Sequence, residues 1–129
     1  MQRGLFKFIG EVVEDYPDYD KYIEQKENEI TDRNRQLGVT ESNSEQGYTP
    51  VTIGDDRSIL ALKRKQKAVE DALKQSDDVT RDIIYELYLR ENKLYDLRGL
   101  TAHLMYSKSQ IMRLRDGFFD KVARELWLE

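Results

Sequence analysis

Lys108, Ser109, Gln110, Met112 and Arg113 stand close together directly after Ser107. Lys and Arg at such a spacing can neutralise phosphates or meet guanine acceptors, while Ser and Gln hydrogen-bond base edges or backbone. If Ser107 caps a helix, the helix N-terminus behind it favours a phosphate as well. Arg90, Lys93 and Arg98, a little upstream, can add phosphate contacts. Ile111, Leu114, Phe118 and Val122 recur at three- and four-residue spacing and put an apolar seam on the opposite face. A supporting helix is expected ahead of this one, with Leu100 and Leu104 on one face and Ala102 keeping its neighbourhood small. The same pattern also describes an ordinary helical hairpin whose polar side is only solvated.

Other chemistries find little support. Asp18, Asp20 and Glu29 occupy the first, third and twelfth positions of a calcium loop, but Ile23 stands at the glycine position and Tyr22 replaces an oxygen donor. His103 has no evident partner for general-base or metal-ligand work. There is no Gly-rich phosphate loop, His-Glu metal motif or nucleophile elbow. Asp55-Asp56 and Asp77-Asp78 suit helix starts better than an acid/base pair. Tyr85, Tyr88, Tyr95, Phe118, Phe119 and Trp127 could stack on single-stranded bases, but their helical spacing suits core positions better. No catalytic residue, metal or cofactor is therefore assigned.

The elements that must position the Ser107–Arg113 cluster follow from periodicity. Residues 4–13 form a short apolar patch, closed by a turn at Tyr16-Pro17-Asp18. From Asp20 to Leu37 an exposed, one-sided helix is expected, with apolar residues only at Tyr22, Ile23, Ile30 and Leu37. Residues 38–54 are rich in Gly, Ser, Thr, Asn and Pro and read as a linker. An amphipathic helix follows with Ile59, Leu62, Val69 and Leu73 inward and Lys63, Arg64, Lys65 and Lys67 on its other face. Asp77 or Asp78 caps the next, whose stripe Val79, Ile83, Ile84, Leu87 and Tyr88 ends near Arg90. The fold class is all-α: an acidic N-terminal helical segment over 1–37, the linker, and a helical domain over 55–129.

Charge is divided along the chain. Up to residue 60 there are seven Lys and Arg against thirteen Asp and Glu, and beyond it fourteen against twelve, within a net charge of -4. The excess of acid precedes the basic cluster, and such asymmetry suggests separate jobs for the two halves. Cysteine is absent, which excludes disulfides, thiolate zinc sites and cysteine nucleophiles and points to a reducing compartment. No apolar run approaches the roughly 20 residues that span a bilayer, and the cytoplasm is the expected location.

The segment from Ile83 to Leu126 resembles the region-4-like helix-turn-helix of sigma factors. Its "LYLRENKLYDLRGLTAHLMYSKSQIMRLRDGFF" runs through a hydrophobic helix, a loop, a supporting helix, a capping Ser107 and the apolar Ile111 four positions on. With the acidic front, the polar linker and "YSKSQIMRLRDGFFDKVAREL", the chain also looks like phage late-gene transcription regulators of the ArpU and RinA type. The resemblance implies a helix-turn-helix at about 96–119, sequence-specific binding of duplex promoter DNA and activation of late genes. It leaves assembly, or contact with host RNA polymerase, to the acidic half. A homodimer is expected, since one short recognition helix rarely supplies enough specificity. Two departures are visible: Thr101 with Ala102 replaces the usual small residue, and Met105 stands where the turn glycine is usual. Left-handed angles at a non-glycine residue cost about 1 kcal/mol, so a variant turn without that conformation is expected. Asp116 falls on the groove side and would confine recognition to the first two turns. A small DNA-recognition subunit of a phage packaging terminase, and a helical protein-interaction module, remain alternatives.

Overall fold

The computed structural model describes residues 2–36 and 56–127, all of whose regular structure is helical. The expected linker at 38–54 lies outside the described residues. In chain order the helices are α1 (Arg3–Glu14), α2 (Tyr19–Gln36), α3 (Arg57–Lys74), α4 (Asp78–Ile84), α5 (Leu97–Leu104) and α6 (Lys108–Trp127). A 3-10 turn, Tyr16–Asp18, falls where Pro17 was expected to interrupt the chain. No helix among the described residues is long and apolar enough to cross a membrane.

Contacts divide the chain into two compact units, Met1–Pro17 with Lys65–Glu129, and Asp18–Arg64. The boundary thus falls within α3, and α1 is grouped with the C-terminal helices rather than with α2.

In the smaller unit, the sparse apolar positions of α2 meet the start of α3: Ile23, Ile30 and Ile59 form one buried cluster with Leu62 packed against it. Asp56 starts α3 by accepting hydrogen bonds from the backbone N–H groups of Ser58 (2.9 Å) and Ile59 (3.2 Å), satisfying two donors that a helix start leaves open.

In the larger unit, residues 4–13 are not merely an apolar patch but most of a helix, with Ile9, Val12 and Val13 buried. The stripe is i, i+3, i+4, and Leu5 and Phe6 extend it while half-buried. α1 packs on α6 and on the end of α4, and α6 also packs on α4 and α5. Phe6 lies against Phe119 with ring centroids 5.0 Å apart, and Tyr88 meets the same ring at 5.4 Å. The inward positions expected of α3 and α4 hold: Val69, Ile83 and Ile84 are fully buried. Asp77 caps α4, accepting from the Thr80 N–H at 2.8 Å. Both the Thr80 side chain and its backbone N–H favour the charged carboxylate and hold the Asp77 pKa below its ordinary value.

α4 ends differently from a regular helix. Tyr85–Leu89 form one π turn, closed by the Arg90 N–H donating to the Tyr85 carbonyl at 2.9 Å. The chain then leaves in extended geometry at Arg90, close to the expected end.

Candidate nucleic-acid interface

The surface around Ser107–Arg113 is built by two caps and one turn. Asp96, in extended geometry, starts α5 by accepting from the Gly99 N–H at 2.7 Å. Leu100 is fully buried on the inner face of α5, in a cluster with Ile83 and Ile111, and Leu104 and Leu114 pack against it. That cluster fixes α5 against α6.

Between them the chain turns at Met105, with φ 58° and ψ 35°. This corrects the expectation of a variant turn: Met105 takes the left-handed conformation despite its Cβ, the one non-glycine residue with positive φ among those described. The reason lies on either side. Leu104 and Tyr106 both pack against the Ile83–Leu100–Ile111 cluster, so the residue between them must reverse the chain within a few ångströms, and Met105 absorbs the cost. Its own side chain is 89% exposed.

Ser107 caps α6 as expected, and the cap is reciprocal. Ser107 Oγ accepts from the Gln110 N–H at 3.1 Å, and Gln110 Oε1 accepts from the Ser107 N–H at 2.8 Å. Each side chain satisfies a backbone donor at the other's position, the arrangement of a capping box. The S-x-x-Q spacing was available in the sequence as the signal for this role of Gln110.

The predicted site residues are brought to one region of the surface but are not equivalent. Ser107, Lys108, Ser109, Gln110 and Arg113 are exposed at the start of α6, and Met112 is half-buried. Lys93 and Arg98 are exposed on the preceding loop and on α5. Arg98 and Lys108, with Leu97 and Thr101, line an open groove of about 360 Å³ between α5 and α6. Thr101 enters here only because of the turn between the two helices. Among the described residues, no hydrogen bond or ion pair engages the side chains of Lys93, Arg98, Lys108 or Arg113.

Arg90 is placed otherwise. It is half-buried, its Nε donates to the Asn92 carbonyl at 3.1 Å, its Nη1 lies 3.5 Å from Glu86 Oε1, and its guanidinium sits 5.4 Å from the Tyr85 ring centre. These contacts commit it to holding the end of α4. Arg115 is likewise internal, stacked 4.7 Å from the Phe6 ring centre and donating to Asp116 Oδ1 at 2.9 and 3.1 Å. Asp116 therefore presents a partly neutralised carboxylate. The lone His103 is exposed and stacked on Tyr95, with centroids 4.6 Å apart and its Nδ1 3.3 Å from the tyrosine hydroxyl. Among the described residues no group of His, Asp and Glu could hold a metal ion.

Comparison with family models, with curated proteins and with solved structures finds no match to this chain.

Proposed function

We propose that the chain is a phage or prophage transcription regulator, a late-gene activator, that binds duplex promoter DNA with α5 and α6 as a helix-turn-helix. The observation that carries the reading is the state of the cations. Among the described residues Arg98, Lys108 and Arg113 stand exposed around the turn with no hydrogen-bond or ion-pair partner for their side chains, while Arg81, Arg90 and Arg115 are engaged within the fold. Cations already held in ion pairs with carboxylates are less able to neutralise phosphates and release counterions from DNA than unpaired ones. The first turns of α6 would enter the major groove, and the α5 groove lined by Arg98, Thr101 and Lys108 would follow the phosphate backbone. The regulatory role and the late-gene promoter come from the resemblance to phage late-gene regulators of the ArpU and RinA type, which is carried by "YSKSQIMRLRDGFFDKVAREL" and the layout of the chain. A homodimer would double this short readout surface, and the acidic half would serve assembly or polymerase contact.

The test is binding of the full chain to duplex DNA as a function of salt. The double variant Lys108→Ala, Arg113→Ala should bind more weakly, with the slope of log K against log salt reduced by about one for the lost Lys108 phosphate contact, and with an unchanged melting temperature. Unchanged affinity at physiological salt would remove α6 from the interface.

A further inference from the structure

The start of α6 divides its polar side chains between two tasks, and the division follows from which atoms are already in use. Gln110 is exposed and of a type suited to adenine, where a bidentate contact needs its carbonyl oxygen and its amide nitrogen together. Its Oε1 is instead bonded to the Ser107 N–H at 2.8 Å. Reading adenine would require opening the cap that starts the helix. Lys108 lies in the α5 groove with Arg98 and Thr101, at the flank of α6.

Arg113 is different. It follows Ile111 by two positions, about 200° of helical rotation, so its Cα lies on the side of α6 opposite the buried seam of Ile111, Phe118 and Val122, and its exposed side chain borders an open groove with Asp77, Val79, Tyr106 and Gln110. Its guanidinium has no hydrogen bond or ion pair with a described residue, in contrast to Arg115 two positions on. Ser109 shares this outward face, which then carries Asp116, Gly117 and Asp120 before its next cation, Arg124, about three turns beyond Arg113. Within the outward strip of the first turns, Arg113 is therefore the one fork of donors.

We propose that Arg113 is the base-reading side chain of α6, selecting a guanine edge in the major groove, while Gln110 positions the helix start and reads no base. The assignment rests on the DNA-binding reading above and narrows it to one residue and one base. A planar guanidinium meets guanine O6 and N7 with two parallel donors, whereas a lysine ammonium offers a point charge. Substitution by lysine thus separates base reading from phosphate contact.

Sequences bound from random duplex DNA by the full chain are selected and compared with those bound by Arg113→Lys, Arg113→Ala and Gln110→Ala. The wild type is expected to select a guanine in each half-site. Both Arg113 variants should lose preference at that position, with affinity for the selected site falling on the order of 10- to 100-fold, while Arg113→Lys keeps the wild-type salt dependence on unrelated DNA. Gln110→Ala should keep every base preference while melting at a lower temperature. Retention of the wild-type profile by Arg113→Lys would overturn the assignment, as would loss of an adenine preference in Gln110→Ala. Binding by the wild type without any sequence preference would overturn it while leaving duplex binding intact. No binding at low salt would remove the underlying reading and this assignment together.

Discussion

Replacing Met105 by glycine should stabilise the protein. At φ 58° the methionine Cβ crowds the following carbonyl, a cost of roughly 1–2 kcal/mol for an L-residue. Glycine removes that cost but gains conformational freedom in the unfolded chain, worth about 0.5–1 kcal/mol against folding. The methionine side chain contributes little to offset either effect, because it is 89% exposed. The balance is a gain of up to about 1.5 kcal/mol, or a rise of up to about 6 °C in melting temperature for a domain of this size. Met105→Asn, which tolerates left-handed angles without glycine's flexibility, should match or exceed it. Met105→Val should destabilise, because a β-branched side chain resists the left-handed region. Thermal unfolding followed by far-ultraviolet circular dichroism measures all three. A lower melting temperature for Met105→Gly, or a valine variant as stable as the wild type, would refute the account of the turn.

Deleting residues 2–17 should unfold the C-terminal helices, since full burial of a Val or Ile is worth roughly 1.5–3 kcal/mol and α1 supplies Ile9, Val12 and Val13. The sum rivals the roughly 5–15 kcal/mol stability of a whole domain, and a fragment that retains a cooperative melt would contradict the placement of α1. Asp77→Ala should destabilise at neutral pH. Because the folded-state pKa of Asp77 is depressed, its contribution is present above the unfolded value and is lost as pH falls below about 4. Denaturant midpoints of wild type and variant should therefore converge in acid, and a constant difference down to pH 2 would count against the cap.

Local signals in this chain act over three or four residues, and they were legible. The 3.6-residue spacing of apolar positions marked α2, α3, α4 and both helices around the turn, and Ser107 and Asp77 announced their helices because each cap bonds a backbone N–H three residues on. Residues 4–13 carried the same spacing but, with two glycines among them, read only as an apolar patch.

Tertiary structure decided what depends on distant partners. Phe6 and Arg115 meet across more than a hundred residues, and no periodicity encodes that pairing, so neither the grouping of α1 with α6 nor the internal fate of Arg115 could be read ahead. The same holds for the cations: Arg90 and Arg113 are the same residue type in similarly polar surroundings, yet a π turn folds one back onto Glu86 and Asn92 while helix rotation leaves the other in solvent. Met105 completes the contrast. Its type argues against left-handed angles, but the burial demanded by Leu104 and Tyr106 on either side outweighs a local cost of about 1 kcal/mol, so the chain turns where its core requires.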